Sequence, residues 1–308
     1  MYKIPDHETS DDEMSTSEKW DKANELMELI ESGEANQETR KGAVKNLGNY
    51  RTSGNLERMT ALLLKVVQDK QEAKTIRQAA GAVLGTFQGE QVSEALIKIL
   101  SDDTEDPDLH EWIQSGISAG GSSQAKSKAA EIFTTQSQSE TTRTRVAECL
   151  WNSLETDEMQ KVMTVFQNQS ESLKIRQDAA SILSFQVDAS VIDTLGKFLN
   201  NRDADPEVRK HIAESVDWRL VARADVPLQI LRDGNETVEL RLIVLRSLFS
   251  SLCIDEANEI DLAPTLIEVL NNPNEEPQIR SEVCKALEKE FASPEVKQAI
   301  KNYKAGIN

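Results

Sequence analysis

The histidines and cysteines, whose side chains most often hold metals or act as nucleophiles, are few and far apart in this chain of 308 residues. They are His7, His110, His211, Cys149, Cys253 and Cys284. The cysteines are too widely spaced for a disulfide framework, so we interpret them as small buried hydrophobes in a reducing compartment. His7 lies in a polar leading segment, and His211 lies at an inward position of a helical pattern. A single His110-Glu111 pair is far short of a metal centre, so we expect no metal.

Catalytic and phosphate-binding motifs give no stronger signal. The sequence contains neither a Gly-x-Gly-x-x-Gly motif nor a Walker-type phosphate loop, and we predict no nucleophile elbow and no cofactor. The net charge of −18 repels a phosphate backbone, which excludes proteins that grip nucleic acid with clustered Lys and Arg. We therefore expect a protein that is not an enzyme and does not bind nucleic acid.

The composition favours an all-α protein. The chain has only 13 glycines, 8 prolines and 5% aromatic residues, which is poor in the residues that β-sandwiches, barrels and propellers use. Lys65 interrupts the most apolar stretch, Ala61 to Val67, so we expect no membrane insertion. No positively charged segment precedes an apolar core at the N-terminus. We expect a soluble cytoplasmic protein; a secreted or periplasmic protein whose signal has been removed is the open alternative.

A ten-residue pattern recurs eight times, mostly 33 residues apart, as in Ile76 to Gly85 (IRQAAGAVLG). Its second position is an arginine in seven units and a histidine in one, and we call these residues the arginine row: Arg40, Arg77, His110, Arg143, Arg176, Arg209, Arg241 and Arg280. The ninth position is aliphatic in every unit. Such a fixed period indicates a repeat architecture.

Each unit has the pattern of a helical hairpin. Apolar residues at positions 1, 4 or 5, and 8 or 9 form one face of a helix. A second amphipathic segment precedes this helix, in the ranges 56–67, 92–100, 159–166, 191–199 and 262–270. An acid followed by proline, at Asp106-Pro107, Asp205-Pro206 and Glu276-Pro277, marks the start of second helices. Because one hairpin cannot bury its apolar face alone, we predict about eight stacked hairpins in one continuous array.

The arginine row has a structural interpretation, as hydrogen-bond donors to carbonyls or acids of the linkers. A hydrophobe-Arg-x-x-Ala opening of the second helix resembles HEAT repeats, especially the short type named after phycobilisome lyases, over about residues 20–291. The resemblance implies an α-solenoid. The acid that this family carries six residues before the arginine is present here clearly only as Asp203. Asn235 and Asn274 replace it in two units, so we expect linker contacts that are partly amide-based.

The predicted organisation has three parts. Residues 1–18 form an acidic flexible tail, residues 19–291 form the repeat array, and residues 292–308 hold a C-terminal capping helix and tail, with the helix at Glu295 to Tyr303 opened by Ser293-Pro294. Two irregular segments are either ordinary loops or functional features. They are an insertion at Ile254 to Asp261, which would contact a partner, and a linker at Ala119 to Ser123, which would act as a hinge.

Positions 3, 7 and 10 of each second helix are predicted to point away from the core. Three residues there are large and apolar, Trp151, Leu242 and Phe249, and Trp218 lies one residue further on, where it joins them or closes the core. Apolar groups on an outward face indicate contact anchors, unless they pack on adjacent helices. We therefore expect a scaffold or adaptor that binds a protein with a partly basic surface along the concave face, with its oligomeric state open.

Two other HEAT-like families suggest different functions. A lyase- or chaperone-type accessory protein that acts on a cofactor-bearing client is the alternative, because phycobilisome lyases share the short repeat. Deoxyhypusine hydroxylase binds iron through several His-Glu pairs, whereas this chain has one such pair in its repeats, at a different repeat position. The resemblance therefore indicates an architecture more specifically than a function.

Overall fold

The computed structural model describes residues 15–32, 34–51, 54–120, 123–151, 154–186, 188–218, 223–250 and 262–306. Residues 1–14 with His7, the 121–122 part of the predicted hinge linker, and Cys253 with the 254–261 insertion lie outside the described residues. The chain forms two compact units, Met1–Leu154 and Glu155–Asn308. Every regular element within the described ranges is helical, as the composition predicts.

Seventeen α-helices are described. In the first unit they are α1 (Thr16–Glu31), α2 (Gln37–Leu47), α3 (Leu56–Gln68), α4 (Lys74–Gly85), α5 (Glu90–Leu100), α6 (Pro107–Gly120), α7 (Ser123–Thr134) and α8 (Glu140–Ala147). In the second unit they are α9 (Thr156–Gln167), α10 (Leu173–Ser184), α11 (Ala189–Asn200), α12 (Pro206–Ser215), α13 (Asp225–Arg232), α14 (Val238–Ser250), α15 (Ala263–Asn271), α16 (Pro277–Glu290) and α17 (Pro294–Lys304). A 3₁₀ turn follows α2 (Gly48–Tyr50), and another follows α8 (Glu148–Leu150).

The helices pair into the eight predicted hairpins, four in each unit. Each odd-numbered helix from α1 to α15 packs on the helix that follows it. The second helices also pack on one another along each unit, α2 on α4 and α4 on α6 in the first, and α10, α12, α14 and α16 in turn in the second. This stacking within each unit confirms the α-solenoid architecture, and α17 packs on α15 and α16 as the predicted capping helix.

The core of each hairpin depends on two positions of the second helix. Position 9 is buried in all eight units, and so is position 5, which reads Ala43, Ala80, Ile113, Val146, Ala179, Ile212, Val244 and Val283. Positions 5 and 9 lie four residues apart and therefore share one helical face. Position 4 is buried only at Ala79 among the eight. The sequence interpretation, which allowed either position 4 or position 5 to face inward, was therefore too permissive.

Helix starts follow the predicted capping chemistry in most places. The carboxylate of Asp205 accepts from the backbone N–H of Glu207 and Val208 at the start of α12, whereas Glu276 precedes α16 without a side-chain cap. At the first helix, Ser15 and Glu18 form a reciprocal capping box. The predicted tail therefore ends earlier than residue 18, since α1 begins at Thr16.

Helices α4 and α6 approach each other more closely than side chains would allow. A Cβ on Gly85 would lie 2.6 Å from the backbone of Gly116 and Ile117, and a Cβ on Gly116 would lie 2.4 Å from the carbonyl oxygen of Ala82. Only glycine fits at such a backbone contact. The close packing at Gly85 and Gly116 therefore depends on glycine, and it holds the two second helices side by side.

Candidate functional site

The arginine row binds the last turn of the first helix in its own hairpin. In each arginine, Nε donates to the carbonyl oxygen of the residue ten positions earlier, at 2.7 to 3.5 Å. The carbonyls belong to Ile30, Val67, Phe133, Phe166, Leu199, Leu231 and Leu270. Because the last carbonyls of a helix have no partner within it, each arginine satisfies a group that would otherwise be left without one.

Five of these guanidinium groups also bind the linker of the next hairpin in the same unit. Arg77 donates to both carboxylate oxygens of Glu105 at 2.9 and 2.7 Å, and Arg241 donates to Glu275 at 2.7 and 2.5 Å. The pairs Arg40–Glu72, Arg176–Asp205 and Arg209–Glu236 repeat this contact. Each of these five arginines thus ties its own hairpin to the following one within its unit.

The expected amide contacts at Asn235 and Asn274 are wrong. In both units the arginine of the preceding hairpin binds the residue immediately after the asparagine, Glu236 or Glu275. This glutamate lies five residues before the next arginine rather than six. The backbone N–H of Asn235 donates to Asp233, which places the asparagine within the turn. The linker contacts are therefore made by carboxylates, which bind a guanidinium more strongly than amides do.

These contacts change the pKa of the glutamates. Hydrogen bonds from Arg77 hold the pKa of Glu105 below its usual value, although burial opposes the shift. At Glu72, Glu236 and Glu275 burial raises the pKa, but the hydrogen bonds and charge of the paired arginine outweigh it, and the net shift is downward. The carboxylates therefore stay ionised at neutral pH, as a paired buried acid must.

His110 replaces the arginine in the third unit, and the residues around it also differ from those of the other units. Its Nε2 lies 3.0 Å from the carbonyl oxygen of Ile99, so it keeps the helix-end contact. The residue five before the next row position is Gln138, where most other units carry a glutamate. Arg145 of the next hairpin instead donates to the carbonyl of Leu100 and to Asp103 at 2.7 and 3.0 Å. Burial lowers the pKa of His110, with the charge of Arg145 adding to it, so the ring is neutral at pH 7.

Two of the predicted contact anchors do not face solvent. Leu242 is buried because α14 packs between α12 and α16, and these helices flank the side of α14 on which position 3 lies. Trp218 is completely buried beside Gly196 of α11 and therefore closes the core. Placing Leu242 on an outward surface was wrong, and of the two alternatives for Trp218 the structure shows that it closes the core rather than serving as a contact anchor. Phe249 is half-buried, with its ring edge-on to Phe291 at 6.2 Å.

Two tryptophans of the first unit, one on a second helix and one just after a second helix, are exposed. Trp151 is 36% exposed at the end of the fourth hairpin, and Trp112 of α6 is 43% exposed. Sequence reasoning missed Trp112 because it occupies position 4, which was allowed to face inward. A signal was present, since position 5 is apolar in all eight units and position 4 is not.

The two tryptophans lie in adjacent grooves of the first unit. Trp112 lines a groove of about 360 Å³ with residues of α2 and α4, and Nζ of Lys45 lies 5.8 Å from the centre of its ring. Trp151 lines a groove of about 280 Å³ with Glu148 and with a stripe of α6. That stripe comprises Glu111, Gln114, Ser115, Ser118 and Ala119. Helix α6 therefore contributes to both grooves.

The second unit has a groove of different charge. It has a volume of about 240 Å³ and lies between α14 and α16. It is lined by Leu245, Arg246, Phe249, Glu282, Lys285, Ala286, Lys289 and Glu290. Lys285 pairs with Glu282, and Lys289 pairs with Glu290, so most of this charge is compensated locally.

Two serines have a sequence spacing or a neighbour that is typical of nucleophiles. Residues Gly116 to Gly120 fit the Gly-x-Ser-x-Gly spacing, which the sequence interpretation passed over, but they lie inside α6, whereas an elbow requires a strand-to-helix turn. Ser181 lies 2.6 Å from Nε2 of His211, whose ring is half-buried rather than inward-facing. Burial lowers the pKa of His211. Because Ser181 lies within α10, its neighbouring N–H groups are used in the helix and offer no oxyanion site.

Within the described residues, no group of three or more His, Cys, Asp or Glu side chains could hold a metal ion. None of the described helices is long and apolar enough to cross a membrane. Burial raises the pKa of the Cys149 thiol far above its usual value, which keeps it protonated.

Comparison with known families identifies the repeat. Residues 23–117 match the family model described as HEAT repeats. This segment, less than a third of the chain, is therefore similar to HEAT repeats. Together with the eight hairpins, the match confirms the resemblance that the row of arginines carries, although the sequence matches no curated protein.

Solved structures with similar folds include three proteins of different kinds. Lipovitellin, in a structure titled for its lipid–protein interactions, has a TM-score of 0.62 at 16% identity, covering 100% of this chain and 35% of its own. This chain therefore spans about a third of the length of lipovitellin. Human deoxyhypusine hydroxylase has a TM-score of 0.33 at 16% identity, covering 75% of this chain and 96% of its own. The CpcE–CpcF complex of phycocyanin lyase from a Nostoc species has a TM-score of 0.36 at 14% identity, covering 83% of this chain and 96% of its own. The likeness to lipovitellin shows the fold alone.

Proposed function

We propose that this HEAT-repeat chain is a non-enzymatic scaffold that binds another protein along the second-helix face of its first unit. The observation that carries the proposal is the exposure of Trp112 and Trp151 on that face. Tryptophan is costly to leave in water and is enriched among the residues that dominate protein interfaces. Two such residues in adjacent grooves favour one elongated partner that contacts both.

The charge of the chain supports a partner with a partly basic surface. The net charge is −18, and Glu111 and Glu148 line the groove of Trp151. Opposite charges at the rim of an interface mainly raise the association rate, and that effect is screened by salt. We therefore expect association to weaken as salt concentration rises.

The test compares two tryptophan variants of the full chain. The chain is immobilised, proteins captured from an extract of the source cells are identified, and their dissociation constants are measured with purified partner. Replacing both Trp112 and Trp151 by alanine is expected to weaken binding by at least about tenfold. Trp20→Ala is the matched control, because Trp20 is 49% exposed but lies on α1, a first helix.

Two results would contradict the proposal. Equal loss of binding in the Trp20 variant would mean that the second-helix face has no special role. Unchanged binding in the double variant, with both variants folded by circular dichroism, would place the partner on another surface. A captured client that carries a cofactor and releases it changed would favour an accessory function instead.

A further inference from the structure

We infer that the groove of Trp112 binds an acidic side chain of the partner, with an apolar side chain of the same segment packed on the indole. The inference deepens the proposed function and rests on it, since it names the chemistry that this part of the second-helix face recognises. The groove combines an exposed indole with two cations, Lys45 and Arg51. Among the described residues that line it there is no carboxylate, although the whole chain carries a net charge of −18.

Neither cation is neutralised by an acid within the described part of the chain. Lys45 is exposed in the last turn of α2 and pairs with no carboxylate there. Arg51 is also exposed, and its Nη1 donates to the carbonyl oxygen of Thr86 at 3.1 Å, which leaves its charge without a carboxylate partner. Glu111, which precedes Trp112 in the chain, lines the other groove. These two charges therefore favour a carboxylate that comes from a partner.

Another groove of the first unit shows how a balanced surface differs. It lies between α5 and α7 and is lined by two lysines and two glutamates, Lys98, Lys128, Glu94 and Glu131. Nζ of Lys128 lies 3.4 Å from a carboxylate oxygen of Glu94. The charges of that groove cancel, whereas the two charges of the groove of Trp112 have the same sign.

The polar groups that line the groove of Trp112 include several hydrogen-bond donors. The ammonium of Lys45 has three N–H groups, and Arg51 uses only part of its five. Asn49 is exposed in the same groove, and within the described residues its amide has no hydrogen-bond partner. The indole N–H of Trp112 is likewise without a partner in those ranges. An ionised carboxylate accepts hydrogen bonds and donates none, so it suits this set of donors.

The apolar part of the groove lies beside the cations. Ala79, Ala82 and Val83 of α4 line it together with the indole. Nζ of Lys45 lies 5.8 Å from the ring centre of Trp112, within the range of a cation–π interaction. An acid bound to Lys45 would therefore bring the next side chain of its own segment to the indole. This arrangement fits an acidic residue with an apolar neighbour better than an isolated acid.

The charge of the whole chain restricts the source of the acid to a protein. A nucleic acid carries many phosphates, and a net charge of −18 repels such a polyanion. A single carboxylate within a partner whose surface is otherwise partly basic avoids that repulsion. The inference therefore commits to an aspartate or glutamate of a protein partner.

The experiment titrates short capped peptides into the full-length protein and follows the indole N–H signals of its tryptophans by NMR. The probe has the sequence Gly-Glu-Leu-Gly. Two matched peptides carry glutamine in place of the glutamate, or alanine in place of the leucine. Trp112→Phe assigns the signal of Trp112. We expect the probe to shift that signal at millimolar concentration, the glutamine peptide to leave it unchanged and the alanine peptide to bind more weakly.

Charge variants then test the two cations. Lys45→Met and Arg51→Gln each remove one charge and are expected to weaken binding of the probe about two- to fivefold, the range of an exposed ion pair. Arg51→Lys keeps the charge and is expected to bind the probe more tightly than Arg51→Gln. Lys65→Met is the matched control, because Lys65 is an exposed lysine in the last turn of α3 in the same unit but lies outside this groove. It is expected to leave binding unchanged.

Several results would overturn the inference. They are the absence of any shift at Trp112 with the probe, an equal shift with the glutamine peptide, or unchanged affinity in both Lys45→Met and Arg51→Gln. An equal shift with inorganic phosphate at the same ionic strength would mean that the groove accepts any small anion.

Two further results would assign the groove to another occupant and also overturn the inference. A Trp112 signal that shifts with protein concentration alone would indicate a second copy of this chain. A signal that shifts when the acids among residues 1–14 are replaced by amides would indicate the acidic leading segment of the same chain.

Failure of the inference is distinguishable from failure of the proposed function. A partner that needs Trp112 but tolerates both Lys45→Met and Arg51→Gln would leave the scaffold intact and remove the acid-binding site. Conversely, binding of the probe at Trp112 without any partner that depends on Trp112 and Trp151 would leave the site intact and remove the scaffold.

Discussion

Arg241 illustrates how a buried charge is made tolerable in these repeats. Its side chain is 1% exposed and that of Glu275 is 4% exposed, so both have left water almost completely. Desolvation of an ion is costly unless its hydrogen bonds are replaced. The guanidinium donates to the carbonyl of Leu231 and to both oxygens of Glu275, and Glu275 also accepts from the backbone N–H of Glu276. The pair is therefore well compensated while both members are present.

Removing one charge of this pair should be far more costly than removing one charge of an exposed pair. For Glu275→Gln we expect a loss of about 3 kcal/mol in the free energy of unfolding, because Arg241 stays buried without a counter-charge. Glu25→Gln is the control, since Glu25 and its partner Lys22 are about half exposed, and the change there should be below about 1 kcal/mol. Urea unfolding measures both. Similar losses in the free energy of unfolding for the two variants would show that the stability contributed by the buried pair does not depend on its charge.

At the scale of helices, the contact between α4 and α6 depends on residues without side chains. Gly85 and Gly116 allow the two backbones to touch, and the second helices of neighbouring hairpins are thereby held in register. The same contact helps to set the position of α6, which lines the grooves of both Trp112 and Trp151. Packing in this region therefore supports the candidate binding face.

A single methyl group should disrupt the contact between these helices. For Gly85→Ala we expect destabilisation of about 1–3 kcal/mol, because the new Cβ would lie 2.6 Å from backbone atoms that cannot move aside easily. Gly42→Ala is the matched control, since nothing lies within 4 Å of a Cβ there. Alanine at that helical position should stabilise the protein by up to about 1 kcal/mol. Thermal and urea unfolding distinguish the two signs, and stabilisation by both variants would contradict the close approach.

At the scale of the whole molecule, the arginine–carboxylate contact recurs in both units. Glu72 and Glu105 make it in the first unit, and Glu236 and Glu275 make it in the second. The pKa of each of these carboxyls is lowered in the folded protein. Protonation therefore weakens the links between successive hairpins within both units at once.

Stability should consequently fall as the solution becomes acidic. A carboxyl whose folded-state pKa lies below its unfolded value of about 4.3 contributes its full stabilisation above that value. The contribution is lost as pH falls through the folded-state pKa. We expect the free energy of unfolding to decrease between about pH 5 and pH 3, and to do so less steeply in the double variant Glu105→Gln/Glu236→Gln.

The comparison for this acid titration is Glu131→Gln, because Glu131 is exposed on α7. Its pH dependence should match that of the unmodified chain. An equally steep decrease in the double variant would mean that other carboxylates determine the acid sensitivity.

The sequence by itself determined the repeat, the helical hairpins and most of their boundaries. The local signals are the arginines about 33 residues apart, the aliphatic residue at position 9 of each unit and the acid-proline pairs at helix starts. Each follows from helix geometry and capping. The final helix after Ser293 was predicted for the same reason, and it runs from Pro294 to Lys304. Position 5 of each second helix indicates the buried face just as clearly, since it is apolar in every unit.

Only the tertiary structure decided which side chains meet and which remain exposed. The carboxylate partner of Arg77 lies 28 residues away and that of Arg241 lies 34 residues away, and neither distance follows from a pattern within one repeat. Leu242 and Trp218 are buried and Trp112 is exposed. Neighbouring hairpins cover some faces of a second helix and leave others in contact with solvent. Local periodicity gives the direction of a side chain from its own helix, but burial depends on what the adjacent hairpin places against it.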